Sequence, residues 1–391
     1  MKRLQIIDLV RSASILVVMG LHFFESTRLP DQADISNGLE DFFSNGRLGV
    51  SLFFTISGFL ITEIITSGKH DRFRIDFKSF YIKRIGRIYP LVFLMMGVGL
   101  WVFLVCDPNS ANPKTIFKSP DYNYDFWFWA SIPLFFFNLI IALQRGNFGA
   151  YWRVLWSLAI EEQFYLAYPW ILKFLKRSRE VTIFLGFIIA LGLVYRTAFT
   201  FSYPGKWICF LNSFGYFDQI AMGSVLYFVS SKWKKALSEN KFQCAILCSI
   251  GFAIMLEAYF NMNLDKPTYL NYGFILGPFF ISFGCFLFLL GGLPLTFFEA
   301  KFWQVFTVPG QLSFACYLFH WAVLFFLHPV LLKFSPVISF PLFAGATVLL
   351  AYCSYVFFER PVNNFIRNFF GAEKSLPLSI PGLSGASNRE R

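Results

Sequence analysis

The feature that most constrains this chain is a succession of apolar stretches, each about 20 residues long and separated by polar loops. A helix needs about 20 mostly apolar residues to cross a bilayer, whereas a membrane strand needs about 9–11. The stretches fall at roughly 5–24, 48–66, 86–106, 155–174, 181–201, 212–230, 242–262, 271–291, 308–329 and 338–358. Their number and length predict an all-α polytopic transmembrane helical bundle of about ten spans. Composition agrees, with 56% hydrophobic and 15% charged residues and a mean hydropathy of +0.55, against about a quarter charged in a soluble domain. The polar stretches are too short to form a soluble domain, so residues 1–370 are expected to be one membrane domain. The tail at 371–391, rich in Ser, Gly and Pro, is expected to be disordered.

Charge placement orients the spans. Between Ser67 and Arg87 stand Lys69, Arg72, Arg74, Lys78, Lys83, Arg84 and Arg87 against Asp71 and Asp76. From Glu25 to Arg47 the balance reverses, with Glu25, Asp31, Asp34, Glu40 and Asp41 facing Arg28 and Arg47. Basic short loops stay on the cytoplasmic side. An eleventh apolar stretch at 126–143, holding Trp127, Trp129, Pro133 and Asn138, decides the count. If it spanned, Lys173, Lys176, Arg177 and Arg179, and also Lys232, Lys234 and Lys235, would fall outside the cell. If it enters and returns, both clusters fall inside. The expectation is therefore a re-entrant, outer-side element, with both termini cytoplasmic and the chain in a bacterial inner membrane. Because the positive charges sit in loops between apolar spans, nucleic acid is not an expected partner. Asp8 and Arg11 interrupt the first apolar run and no small-residue cleavage site follows it, so it reads as a retained helix. The cysteines, Cys106, Cys209, Cys244, Cys248, Cys285, Cys316 and Cys353, form no C-x-x-C pair and read as small hydrophobes, not as zinc ligands or disulfides; no metal is expected.

Arg11 and His22 stand eleven residues apart on the first predicted helix. That spacing is about three turns, so both project from nearly the same line, about 16 Å apart along the axis. Asp8, three residues earlier, is placed to pair with Arg11. Ionisable groups inside a span usually face the protein interior or a wet path; the other reading is a snorkelling anchor at Arg11 and an interfacial polar residue at His22. The run from Ile7 to Ser12 followed by His22 resembles the opening of the acyltransferase-3 family, which carries an Arg-x10-His motif there. The resemblance continues in order through Gly49–Leu60, Arg84-Ile85-Gly86-Arg87 with Ile88-Tyr89-Pro90, Trp156–Tyr165, Ser313–His320 and Glu359-Arg360-Pro361.

The resemblance implies an enzyme that takes an acyl group, acetyl foremost, from cytoplasmic acyl-CoA and places it on a hydroxyl of an extracytoplasmic glycan or lipid-linked saccharide. Acyl-CoA would be a substrate, with no resident cofactor. Arg84 and Arg87, three apart on one helix face, suit its phosphates, since guanidinium forks bind phosphate in two-pronged fashion; positive-inside anchoring is the alternative. Arg11 would line the mouth of a path for the acyl-pantetheine arm. His22, further along, would act either as general base toward the acceptor or as acyl-accepting nucleophile. Glu161 or Glu162 is the expected partner fixing its tautomer, only one of them facing inward because neighbours on a helix diverge by about 100°. His320, mid-span among aromatics, is read as a packed histidine. Ser57 and Gly58 are expected to permit close helix approach. Many family members carry a further soluble domain; about 30 residues follow the last expected span here, so either the membrane domain completes transfer or a separate periplasmic transferase does. The rival reading is a transporter or flippase of a lipid-linked glycan, which would more often show paired repeats with broken helices. A purely structural scaffold would leave Arg11, His22 and the glutamates unexplained.

Overall fold

The computed structural model describes residues 4–27, 35–66, 75–105, 124–143, 149–175, 177–202, 212–262 and 272–371. Lys69, Arg72, Arg74, Lys176, Cys106, Cys209 and the tail 372–391 lie outside the described residues. The long helices are α1 Gln5–Thr27, α2 Leu48–Thr66, α3 Phe77–Val105, α4 Leu155–Phe174, α5 Ser178–Ser202, α6 Phe217–Lys232, α7 Lys241–Asn261, α8 Tyr272–Gly292, α9 Ser313–Leu331 and α10 Pro336–Ser354. A π-helical turn, Tyr355–Glu359, joins α10 to α11, Arg360–Phe369. Pro361 explains that turn. It has no N–H to offer the Phe357 carbonyl four residues back, and the Arg360 N–H bonds instead to the Tyr355 carbonyl, five back. Among the described residues there is no strand.

Each of the ten predicted spans is a helix, and among the described residues eight helices are long and apolar enough to cross a membrane by length and composition. The two that fall short do so for different reasons. α6 has only 16 residues, and α4 carries the polar run Glu161-Glu162-Gln163 at its centre. Together the helices make a multi-pass membrane protein.

The chain runs back and forth between two ends. At one end the Lys173 ammonium lies 5.3 Å from the Phe77 ring, Asn363 of α11 abuts Gly86 of α3, and the Gly310 N–H donates to the Ser12 hydroxyl at 2.7 Å. At the other, Asn45 donates to the Tyr259 carbonyl at 2.7 Å, and Glu25 meets Arg47 at 3.5 Å. The start of α1 and the whole of α11 therefore share an end. α2 and α6 cross in close contact. A Cβ on Gly58 would sit 1.8 Å from the Ile220 carbonyl oxygen, and one on Gly223 would sit 1.7 Å from that of Thr55. Gly58 therefore does what its small size suggested.

The stretch at 126–143 is broken into Phe126–Ser131 and Phe137–Leu143. Its two flanks meet, since the Gly149 N–H donates to the Tyr124 hydroxyl at 3.2 Å. Between them the chain dips to a tip where the Tyr89 hydroxyl donates to the Pro133 carbonyl at 3.0 Å and Gln163 donates to the Phe135 carbonyl at 2.7 Å. Phe135 takes φ +54°, in the left-handed region that a bulky side chain rarely adopts. The segment thus turns back on itself, in keeping with the re-entrant element expected from the loop charges. Asn138, Gln163 and Ser213 close a polar ring around it: Asn138 Nδ2 donates to Ser213 Oγ at 2.9 Å, Ser213 Oγ to Gln163 Oε1 at 2.5 Å, and Gln163 Nε2 to Asn138 Oδ1 at 2.9 Å.

One fully buried ion pair ties α5, α6 and α8 together. Arg196 meets Asp218 through two parallel bonds, Nη1 to Oδ1 at 2.9 Å and Nη2 to Oδ2 at 2.7 Å, and its remaining donors reach the Gly215 and Ile275 carbonyls. Both side chains are 1% exposed. Removing one partner of such a pair leaves a bare charge and costs about 3–5 kcal/mol, whereas apolar replacement of both is often neutral. Asp218→Ala should therefore sharply lower the thermal unfolding temperature in detergent micelles. The double variant Arg196→Met, Asp218→Leu should restore most of it.

Candidate active site

α1, α2, α3, α4 and α9 line an open cavity, about 810 Å³ of space when the part open to the surroundings is counted. Its wall is polar along one stripe of α4, because Ser157, Glu161 and Tyr165 recur every four residues and so lie on one line of that helix. Arg84 and Arg87 line it from α3, Arg11 from α1, Ser57 from α2, and Ser313 and Tyr317 from α9. Five of the six residues singled out from sequence therefore meet in one place: Arg11, Arg84, Arg87, Glu161 and Glu162.

Within the cavity the carboxylates are not equivalent. Glu161 Oε1 accepts a hydrogen bond from Ser57 Oγ at 2.5 Å and another from the Tyr165 hydroxyl. The Arg84 guanidinium carbon lies 4.0 Å from the Tyr165 ring centre, a cation–π contact that fixes the arginine over the wall. Glu162 Oε1 is shielded from solvent and has no hydrogen-bond partner among the described residues. The expectation that only one of the two glutamates faces inward is corrected here. Both line the cavity, because the space spans an arc of α4 wider than the angle between neighbouring side chains.

His22 is not among the lining residues, and its expected glutamate partner is also corrected. Its Nδ1 lies 2.8 Å from His320 Nε2. Glu161 is engaged by Ser57 and Tyr165 instead. The histidine pair adjoins the cavity through α9. Tyr317, on the cavity wall, is hydrogen-bonded by its hydroxyl to Ser157 at 2.7 Å, and its carbonyl lies 2.8 Å from His320 Nδ1. His320 stands three residues, about 4.5 Å of helix rise, beyond Tyr317. It is 0% exposed, while His22 is only partly buried. The Trp321 ring packs 4.8 Å from that of His22, and its indole N–H is buried with no acceptor among the described residues.

Two further groups belong beside this site. His320 reads from sequence as a packed histidine, and its partner, 298 residues away, was not legible there. Glu359, in the closing Glu-Arg-Pro triplet, lies within electrostatic reach of both Arg87 and Arg11. The π-turn shifts its position on the helix, and the signal for that turn was Pro361, two residues on.

A helical membrane protein whose central cavity is lined by three arginines and two carboxylates, with a histidine pair beyond it, is a candidate membrane-embedded transferase. The comparisons give the family. Residues 4–356 match the acyltransferase-3 family, described as an acyltransferase domain, and the chain belongs to it. Among curated proteins it is similar to the O-acetyltransferase OatA of Staphylococcus aureus, in strain NCTC 8325 / PS 47 and in strain COL. Each is 29% identical over 338 residues, covering 82% of this chain and 53% of the relative. The chain thus spans about half the length of these relatives. No solved structure matches it.

The unequal carboxylates give a stability test. Glu161→Ala strands the Ser57 and Tyr165 hydroxyls, and each buried polar group left unsatisfied costs about 1–3 kcal/mol. Glu162→Gln loses no bond made by Oε1 and should unfold no more easily than the parent. Unfolding in mixed micelles with increasing sodium dodecyl sulfate should separate the two.

Proposed function

We propose that this protein is an integral-membrane O-acetyltransferase of the bacterial cytoplasmic membrane. It moves an acetyl group from cytoplasmic acetyl-CoA to a hydroxyl of an extracytoplasmic glycan or lipid-linked saccharide, and both its termini are cytoplasmic. One observation carries the reading: three arginines open into a cavity that runs along α9 to within one turn of the histidine pair, His22 and His320. Family membership supports acyl transfer, and the relatives' names support acetyl. The shared end of α1, α11 and the basic residues Lys173, Arg177, Lys232 and Lys235 supports the cytoplasmic assignment.

In this reading Arg84, Arg87 and Arg11 hold the phosphates of CoA, with planar forks suited to them. The acyl-pantetheine arm lies along the cavity toward His22. The unprotonated nitrogen of His22 takes the proton from the acceptor hydroxyl as its oxygen attacks the thioester carbonyl. The carbon–oxygen bond forms, the carbon–sulfur bond breaks, and the departing thiolate takes the proton back from His22, leaving acetylated acceptor and free CoA. The Trp321 indole N–H supplies a buried donor for the developing oxyanion.

Two outcomes test the roles. A positioned general base contributes a factor of about 10²–10⁴ in rate. His22→Ala should therefore reach the membrane at normal level while acceptor-dependent consumption of acetyl-CoA by the purified protein falls by that factor. Retained turnover would remove His22 from the chemistry. Arg84→Ala and Arg87→Ala should chiefly raise the Michaelis constant for acetyl-CoA, with Arg→Lys rescuing in part because a point charge replaces a fork. An unchanged donor Michaelis constant in both would place phosphate binding elsewhere.

A further inference from the structure

His320 was expected to be a packing residue, and its hydrogen bonds say otherwise. The Tyr317 and Cys316 carbonyls lie 2.8 and 3.3 Å from His320 Nδ1. Carbonyl oxygens only accept, so this nitrogen carries a proton. A neutral His320 then presents an unprotonated Nε2, and that nitrogen is 2.8 Å from His22 Nδ1. One proton must lie between them, so His22 Nδ1 donates. The opposite assignment would make His320 a cation at a site that is 0% exposed, where an uncompensated charge is costly.

Ring geometry agrees. The two imidazole centres are 5.0 Å apart with planes 6° apart. That separation is close to the largest that a 2.8 Å nitrogen–nitrogen contact permits. Both nitrogens therefore lie nearly on the line between the ring centres, and the rings meet edge to edge in a common plane. The lone pair of His320 Nε2 lies in that plane and points at His22 Nδ1.

We infer that His320 is a positioning residue: anchored to the Tyr317 backbone, it holds His22 as the Nδ1–H tautomer and leaves His22 Nε2 unprotonated to meet the acceptor hydroxyl. The functional part of this rests on His22 acting as base, and the tautomer does not. The protein has four histidines, so nitrogen-15 magnetic resonance of histidine-labelled protein in bilayers can assign each tautomer. The unliganded protein should show His22 protonated at Nδ1 and bare at Nε2. A wild-type spectrum with His22 protonated at Nε2 overturns the inference whatever the activity.

Kinetics supply the second arm. In His320→Gln the amide oxygen can occupy the position of Nε2 and still accept from His22. In His320→Phe the ring volume stays and the acceptor is lost. If His320 only packs, Phe should serve at least as well as Gln. The relay expects the reverse. The Phe variant should lose about 10²–10⁴-fold in kcat, as for loss of a general base, with the donor Michaelis constant unchanged, and the Gln variant should retain at least about tenfold more than Phe. Equal activity of the two overturns the positioning role. Wild-type protein with no transferase turnover would instead sink the proposed function, and the tautomer measurement would still decide the inference.

Discussion

The pairing of α1 with α9 in one parallel register is the interaction on which the rest depends. Ser12 meets Gly310, in the short helical turn Val308–Gln311 that leads into α9, near one end, His22 meets His320 further along, and Ser26 meets His328 at the other. The first two pairs share the same sequence offset of 298 residues, so the helices run alongside each other without slipping. Gly310 makes the approach possible, since a Cβ there would sit 1.9 Å from the Asp8 carbonyl oxygen. Shifting either helix by a residue would rotate its polar stripe away from its partner. Arg11 and Tyr317 would leave the cavity, and the two imidazoles would part.

A polar cavity inside an apolar bundle is expensive, and the surrounding contacts show how the cost is met. Buried polar groups require partners, and here most of them have one: Glu161 has two hydroxyls, Arg84 an aromatic face, and the Arg87 and Arg11 cations the Glu359 carboxylate nearby. The re-entrant tip follows the same rule. Its broken backbone is satisfied by Tyr89 and Gln163, which adjoin the arginine and glutamate motifs in sequence. Irregular backbone at membrane depth is tolerated where protein shields it, so the segment that breaks the helical pattern packs directly behind the cavity wall. Two of the buried groups left unmatched among the described residues, Glu162 Oε1 and the Trp321 indole N–H, lie in or near the proposed substrate path.

Much of this was legible in the chain. Apolar lengths mark the helices, and the loop charges favour a 126–143 stretch that turns back. The eleven-residue spacing of Arg11 and His22 puts both on one line of α1, and the three-residue spacing of Arg84 and Arg87 puts both on the cavity wall. These are local periodicities, which a helix converts directly into geometry. The partners were not legible. Nothing near His22 in sequence points to His320, and a glutamate was the more familiar orienting group. The inward angle of Glu162 depends on the width of the space around α4 and not on α4 itself. The reach of Glu359 toward Arg11 depends on a π-turn, which Pro361 makes understandable only once the backbone is seen.

The transbilayer route is tested most directly in sealed proteoliposomes with the protein inserted in one orientation. Radiolabelled acetyl-CoA is supplied only at the Arg84–Arg87 end and a saccharide acceptor only at the other. Label should pass to the acceptor while both compartments stay sealed, and reversing the two substrates should abolish it. Label that moves only when donor and acceptor share a compartment would contradict a path running from the arginines to the histidine pair.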